Sequence, residues 1–241
     1  MEGRSLSSRA LLGAVVRRAA TLDRRSWAYM FVLALIVFVP VGVIQGSFDV
    51  LAENRINLAV AAAAVSVGAS ALIGEVFYSG AVAGLIAKTP EAERPSLVGL
   101  ARRLPLLRLL AADVLVTVLV IVGLLLLIVP GVVLFVLLAF VAPSIEIEER
   151  TLRSGFKRSR ELVRGRFWLV LLVVGGLELT TELAVQAIEG LTHSVLGDAL
   201  ATDSVAETLG NVLTNPPYAV VIVLLALELM REKPAPAAEL A

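Results

Sequence analysis

Apolar and polar positions fall into long blocks along the chain. Long apolar runs with few charges cover about Trp27–Ile44, Leu109–Ile145 and the stretch from Phe167, and Pro216–Met230 forms another. A further block, about Leu58–Ala87, is rich in small residues: Ser66, Ser70 and Gly74 recur every four positions, and Gly80 and Gly84 form a GxxxG pair. A helix needs roughly 20 apolar residues to cross a hydrocarbon core of about 30 Å. Small residues let helix backbones approach closely where lipid removes the hydrophobic drive between helices. The pattern therefore predicts an all-α, polytopic integral membrane bundle with the second span near its centre.

Two segments carry a different period. Leu12, Val15, Val16, Ala19 and Leu22 follow helical spacing within residues 5–22, flanked by Arg9, Arg17 and Arg18. Leu152, Phe156 and Val163 share a face within residues 150–166, a segment with seven basic side chains opposed only by Glu161. Both read as basic amphipathic helices lying on an anionic membrane surface.

Pro130-Gly131 interrupts the 109–145 run, and proline removes a helical hydrogen bond. One long kinked helix or two short spans would fit the length. Charge separates them: both flanks are basic, basic flanks belong inside, and only a hairpin returns the chain to that side. This predicts spans at about 27–44, 58–87, 105–128, 132–147, 167–188 and 216–230. Basic segments at 1–26, 88–108, 150–166 and 231–233 then face the cytoplasm. No Lys or Arg occurs from Phe167 to Met230, so 190–215 is expected as an exterior loop. The organisation expected is a basic N-terminal segment (1–26), a six-span domain (27–233) and a disordered tail (234–241). The chain is expected to be integral to the plasma (inner) membrane, with both termini cytoplasmic. The long basic segment before Trp27 and the poor cleavage site at Gln45-Gly46-Ser47 read as a retained helix, not a signal peptide.

Composition narrows the chemistry. Charged residues make up 17% of the 241, against about 25% in ordinary soluble domains. Mean hydropathy is +0.89. Zero net charge gives no general pull toward nucleic acid. With no cysteine, disulfides, thiolate metal sites and thiol nucleophiles are excluded. No G-x-S-x-G elbow or P-loop is present, and the single histidine, His193, has no partner at metal-ligand spacing. No enzyme, metal or cofactor is expected.

Two clusters remain. Glu178, Glu182, Gln186 and Glu189 stand at i, i+4, i+8 and i+11, one face of the fifth span. Charge at bilayer depth costs about 2.5–3.5 kcal/mol each on insertion scales, so such residues face an interior, a cavity or the exterior edge. One reading is an outward-facing polar layer or interhelical hydrogen bonds. The other is a cavity for a cation, a proton or a lipid amine, which Glu75 with Tyr78 and Asp113 with Thr117 would join. The second cluster is Arg158, Arg160, Arg164 and Arg166, placed to hold anionic lipid headgroups.

Residues 130–168 run Pro130-Gly131, an apolar helix, Pro143, an acidic Glu146-Ile147-Glu148, and then Ser159-Arg160-Glu161-Leu162-Val163-Arg164-Gly165-Arg166-Phe167-Trp168. This resembles the bacterial membrane-domain family named after glycerophosphoryl diester phosphodiesterases. The resemblance implies a helical membrane domain without the catalytic barrel. The expected function is a non-enzymatic membrane protein that binds lipid or organises the envelope. Its partners would be membrane lipids, with a membrane protein or a second copy also possible. The alternatives are a small transporter or channel using the acidic stripe, and an interaction subunit of a membrane complex.

Overall fold

A computed structural model describes residues 7–52, 77–87, 105–126, 128–197 and 200–234. Every regular element among the described residues is helical. They are α1 (Ser8–Thr21), α2 (Arg24–Ala52), α3 (Phe77–Ala87), α4 (Leu106–Leu126), α5 (Ile128–Leu138), α6 (Val141–Ile147), α7 (Leu152–Val163), α8 (Phe167–Leu196) and α9 (Leu200–Glu232). Within α8 a π-helical turn covers Leu171–Gly175. Among the described residues, four helices are long and apolar enough to cross a membrane: Arg24–Val41, Val129–Ile147, Phe167–Leu196 and Ser204–Glu232. The fold is helical and consistent with a membrane protein.

The chain divides into two compact units. One comprises Met1–Leu22, Ser79–Gly176 and Ala219–Ala241; the other comprises Asp23–Tyr78 and Leu177–Tyr218.

In the first unit, α4 packs against α5 and also against α6 and α7, so the chain doubles back on α4. The hairpin expected around Pro130-Gly131 forms, and Pro130 lies within α5. Pro143 is the third residue of α6, and the chain breaks before it at Ala139–Phe140. Ser159 of α7 repairs that break. Its Oγ accepts from Phe140 N–H (3.1 Å) and donates to the Leu137 carbonyl (2.7 Å). One hydroxyl thus satisfies two backbone groups that the kink would leave unpaired.

Helix α7 begins at the Thr151 cap, whose Oγ1 accepts from Ser154 N–H. It ends at Gly165, where φ is +80°, the left-handed stop that glycine takes without strain. Its buried face is Gly155, Arg158, Ser159, Leu162 and Val163, rotated away from the Leu152–Phe156 edge suggested by hydrophobicity alone. A Cβ on Gly155 would stand 2.8 Å from Ile145 Cγ1, so glycine lets α7 meet α6 closely. Gly80 and Gly84 of α3 are buried in the same unit, and a Cβ on Gly84 would lie 3.4 Å from Glu146 Oε1.

α1 is capped by Ser7 Oγ, which accepts from Ala10 N–H. It buries Leu11 and Val15, whereas Val16, expected on the apolar face, is exposed. Its face is set by protein packing, and Arg18 on that side pairs with Glu228 of α9 (3.3 Å).

In the second unit, Asp23 Oδ1 accepts from Ser26 N–H at the start of α2. Met30, Leu33, Ala34 and Phe38 are buried, while Val32, Leu35, Ile36 and Val39 face outward. Tyr78 is buried against this helix, donating to the Met30 carbonyl (3.2 Å), with its ring 5.5 Å from that of Phe38. The helix runs on through Pro40 to Ala52, across the start of the loop expected from Gln45.

The expected 190–215 loop is corrected more sharply. Only the connection between Leu196 and Leu200 breaks the helix there, at Gly197 with φ +78°. Polar residues of this segment satisfy themselves within α9. Thr208 donates to the Ser204 carbonyl, Thr214 to Gly210 and Asn215 to Asn211, each one turn back. Pro216 and Pro217 lie inside this 33-residue helix.

Candidate functional site

The cationic segment 150–166 divides in two when folded. Arg158 is 2% exposed. Its Nε and Nη2 bind both oxygens of Glu148 at 2.8–3.1 Å, and its Nη2 also donates to the Lys233 carbonyl. Arg150 is buried and donates to Glu148 Oε2 (2.5 Å). Arg166 pairs with Glu232 (3.2 Å). The Lys233 ammonium donates to the carbonyls of Glu161, Leu162 and Arg164, closing the C-terminus of α7. Burial holds the Lys233 amine below its ordinary range; Arg166 pushes the same way, Glu232 opposes, and Arg158 and Arg164 add to the lowering. Glu228 of α9 receives both Arg18 and Arg231. Glu148 and Glu232 therefore engage part of the basic segment as structure.

The remaining cations form a row. Arg153, Lys157, Arg160 and Arg164 are exposed at i, i+4, i+7 and i+11, on the face of α7 opposite Gly155, Arg158, Ser159 and Leu162. Along the helix axis the row extends about 16 Å. Glu161 stands beside it, 3.9 Å from Lys157. Trp168 follows at the start of α8, 77% exposed and edge-on to Phe167 (5.5 Å between ring centres), an amphipathic ring of the kind found at headgroup level.

Of the four arginines expected to hold headgroups, Arg160 and Arg164 face out, while Arg158 and Arg166 turn inward. Arg153 and Lys157 take their places. The i, i+4, i+7, i+11 spacing of the four exposed cations was already in the sequence. Selecting them required knowing that Glu148 and Glu232 withdraw the other two.

The acidic stripe lies on α8 in the second unit. Tyr218 of α9 donates to Glu178 Oε1 (2.8 Å), and Gln186 donates to Glu182 Oε1 (3.0 Å). Glu178, Glu182 and Gln186 are exposed and Glu189 is half-buried. Asp113 is half-buried on α4 and belongs to the first unit; Glu75 and the Thr117 side chain lie outside the described residues. His193 sits on the last turns of α8, a helix position where a loop was expected. Among the described residues no three His, Cys, Asp or Glu side chains converge as metal ligands.

No family model matches this sequence, and no curated protein and no solved structure matches it.

Proposed function

We propose that this chain is a non-enzymatic membrane module that gathers anionic lipid headgroups along Arg153, Lys157, Arg160 and Arg164. The exposed cation row carries the reading. Four cations on one helix face, followed by an exposed tryptophan, suit a layer of lipid phosphates, each near-surface cation adding about 1 kcal/mol. The same reading sets six spans in the inner membrane, with both termini and α7 on the cytoplasmic side. The hairpin of α4 with α5 and α6, the lack of Lys and Arg between Phe167 and Met230, and the resemblance of residues 130–168 to the phosphodiesterase-named membrane family support it.

The test is native mass spectrometry of the full chain released from bilayers of phosphatidylcholine and phosphatidylglycerol. Wild type is expected to retain phosphatidylglycerol above its bulk share. The R153Q/K157Q/R160Q/R164Q variant is expected to lose that enrichment. Equal retention by both chains would remove the reading.

A further inference from the structure

The chain passes between the two units four times, at Leu22–Asp23, Tyr78–Ser79, Gly176–Leu177 and Tyr218–Ala219. Two of these crossings lie inside the long helices α8 and α9. A continuous helix is stiff, so it yields only where its ladder of hydrogen bonds is weak. Sharp bends fall at proline, at glycine pairs and at π-turns.

Helix α8 has two of those features at its crossing. The π-turn Leu171–Gly175 runs up to it, and Gly175-Gly176 form the glycine pair. Among the described residues, a Cβ on Gly176 would meet nothing within 4 Å, and one on Gly175 only Leu171 Cδ1 at 3.7 Å. Neither glycine is there to make room for a neighbour, which leaves backbone freedom as its contribution. Helix α9 has the third feature. Pro216 and Pro217 stand directly before Tyr218. Neither has an amide hydrogen, so the carbonyls of Val212 and Leu213 receive no bond from four residues on. Thr214 donates to the Gly210 carbonyl and Asn215 to that of Asn211, which closes the turn before the gap and not the gap itself. The other two crossings offer little resistance. Leu22 is an extended residue between α1 and Asp23, which caps α2, and Tyr78–Ser79 is followed by Gly80.

Hydrogen bonds hold the second unit together up to its boundary. Tyr218, its last residue on α9, donates to Glu178, its second residue on α8 (2.8 Å). Tyr78, its last residue on α3, donates to the Met30 carbonyl of α2. The Tyr218–Glu178 bond joins the residue after Pro217 to the second residue after Gly176, so the weak points of α8 and α9 lie side by side. Neighbouring helices that bend at one level bend together. We propose that Gly175-Gly176 of α8 and Pro216-Pro217 of α9 form a paired hinge about which the two units turn as bodies. The hinge is independent of the lipid reading, which rests on α7.

Spin-label distances in the full chain, reconstituted in phosphatidylcholine vesicles and diluted with unlabelled protein, test this. Leu107→Cys in the first unit and Ser194→Cys in the second, both exposed, form the pair that spans the hinge. Leu107→Cys with Val16→Cys, and Ser194→Cys with Val32→Cys, are pairs within one unit. The spanning pair is expected to give a distance distribution about twofold broader than either internal pair. G175A/G176A, which the space at both positions accepts, and P216A/P217A are each expected to narrow it toward the internal width. Gly190→Ala, on α8 away from the crossing, should leave it unchanged. The internal pairs report whether each unit stays folded; if one double variant disturbs them, the other carries the test. Equal widths for spanning and internal pairs in wild type overturn the proposal. So does a broad spanning distribution that survives the double variants with the internal pairs intact. Narrowing by Gly190→Ala as large as that by G175A/G176A also overturns it, since general stiffening of α8 would then account for the effect.

Discussion

Arg158 and Lys233 close each other's helices. The Arg158 guanidinium donates to the carbonyl of Lys233, just past the end of α9, while the Lys233 ammonium donates to three carbonyls at the end of α7. Each cation sits where the partner helix presents unpaired carbonyls and the negative end of its dipole. Glu148, bound to the same guanidinium, ties α6 to this junction.

The first expectation concerns Arg158. Arg158→Met removes the guanidinium from Glu148, leaving it Arg150, and takes the donor from the Lys233 carbonyl, an expected cost of about 1–3 kcal/mol. Arg160→Met, on the exposed face two residues along, is expected to change stability by under about 0.5 kcal/mol. Thermal unfolding of both variants in detergent checks the contrast. Equal melting temperatures would show that the Arg158 junction does not hold the fold.

Lys233 gives a pH dependence. Its folded-state pKa lies below the ordinary value of 10.5, lowered first by burial and then by Arg166. Between the two values the unfolded chain binds more protons, so stability rises with pH through that window. Below it both states are protonated and this contribution is flat. The melting temperature of wild type, measured from neutral pH up to 10.5, should therefore carry an upward component that Lys233→Met lacks. Parallel profiles would contradict it.

Helices α6 and α7 offer a packing test. Ser159→Ala removes the hydroxyl that satisfies Phe140 N–H and the Leu137 carbonyl, with an expected cost of about 1–3 kcal/mol. Gly155→Ala places a methyl 2.8 Å from Ile145 Cγ1, and overpacking of that kind costs about 1–3 kcal/mol. At Gly190 a Cβ meets nothing within 4 Å, so Gly190→Ala is expected to be neutral or stabilising by up to about 1 kcal/mol. The order of melting temperatures should be Gly190→Ala at or above wild type, with the other two below it.

The apolar runs were legible because bilayer thickness imposes a length that composition reports directly, and the Pro130 hairpin because charge must return to one side. Helix faces were less so. Leu12, Val15 and Val16 shared the membrane-facing side expected of α1, yet Val16 is exposed and Leu11 is buried beside Val15. Hydrophobicity cannot distinguish an apolar side chain facing lipid from one facing protein. The 190–215 segment misled for another reason: a lack of Lys and Arg reports a side of the membrane and not a loop, and Thr208, Thr214 and Asn215 bond back to their own helix. The candidate headgroup row was half legible. Arg160 and Arg164 could be chosen from spacing, whereas the inward turn of Arg158 and Arg166 depends on Glu148 and Glu232, the latter 66 residues from Arg166 in sequence.

Topology can be measured directly, because the chain has no cysteine to mask. Arg108→Cys, Arg153→Cys and Ser194→Cys each place one thiol at an exposed position. With six spans and cytoplasmic termini, a membrane-impermeant maleimide should label Ser194→Cys in intact cells. It should reach the other two only after permeabilisation. Arg108 and Arg153 must behave alike, since α4 leaves one side and α5 with α6 returns to it; opposite labelling would make 105–147 a single crossing. Arg153 and Ser194 must behave oppositely, since α8 separates them. Labelling of both from the same side would mean that α8 does not cross the bilayer. The carboxylates of Glu178 and Glu182 would then face water, where they need no partner.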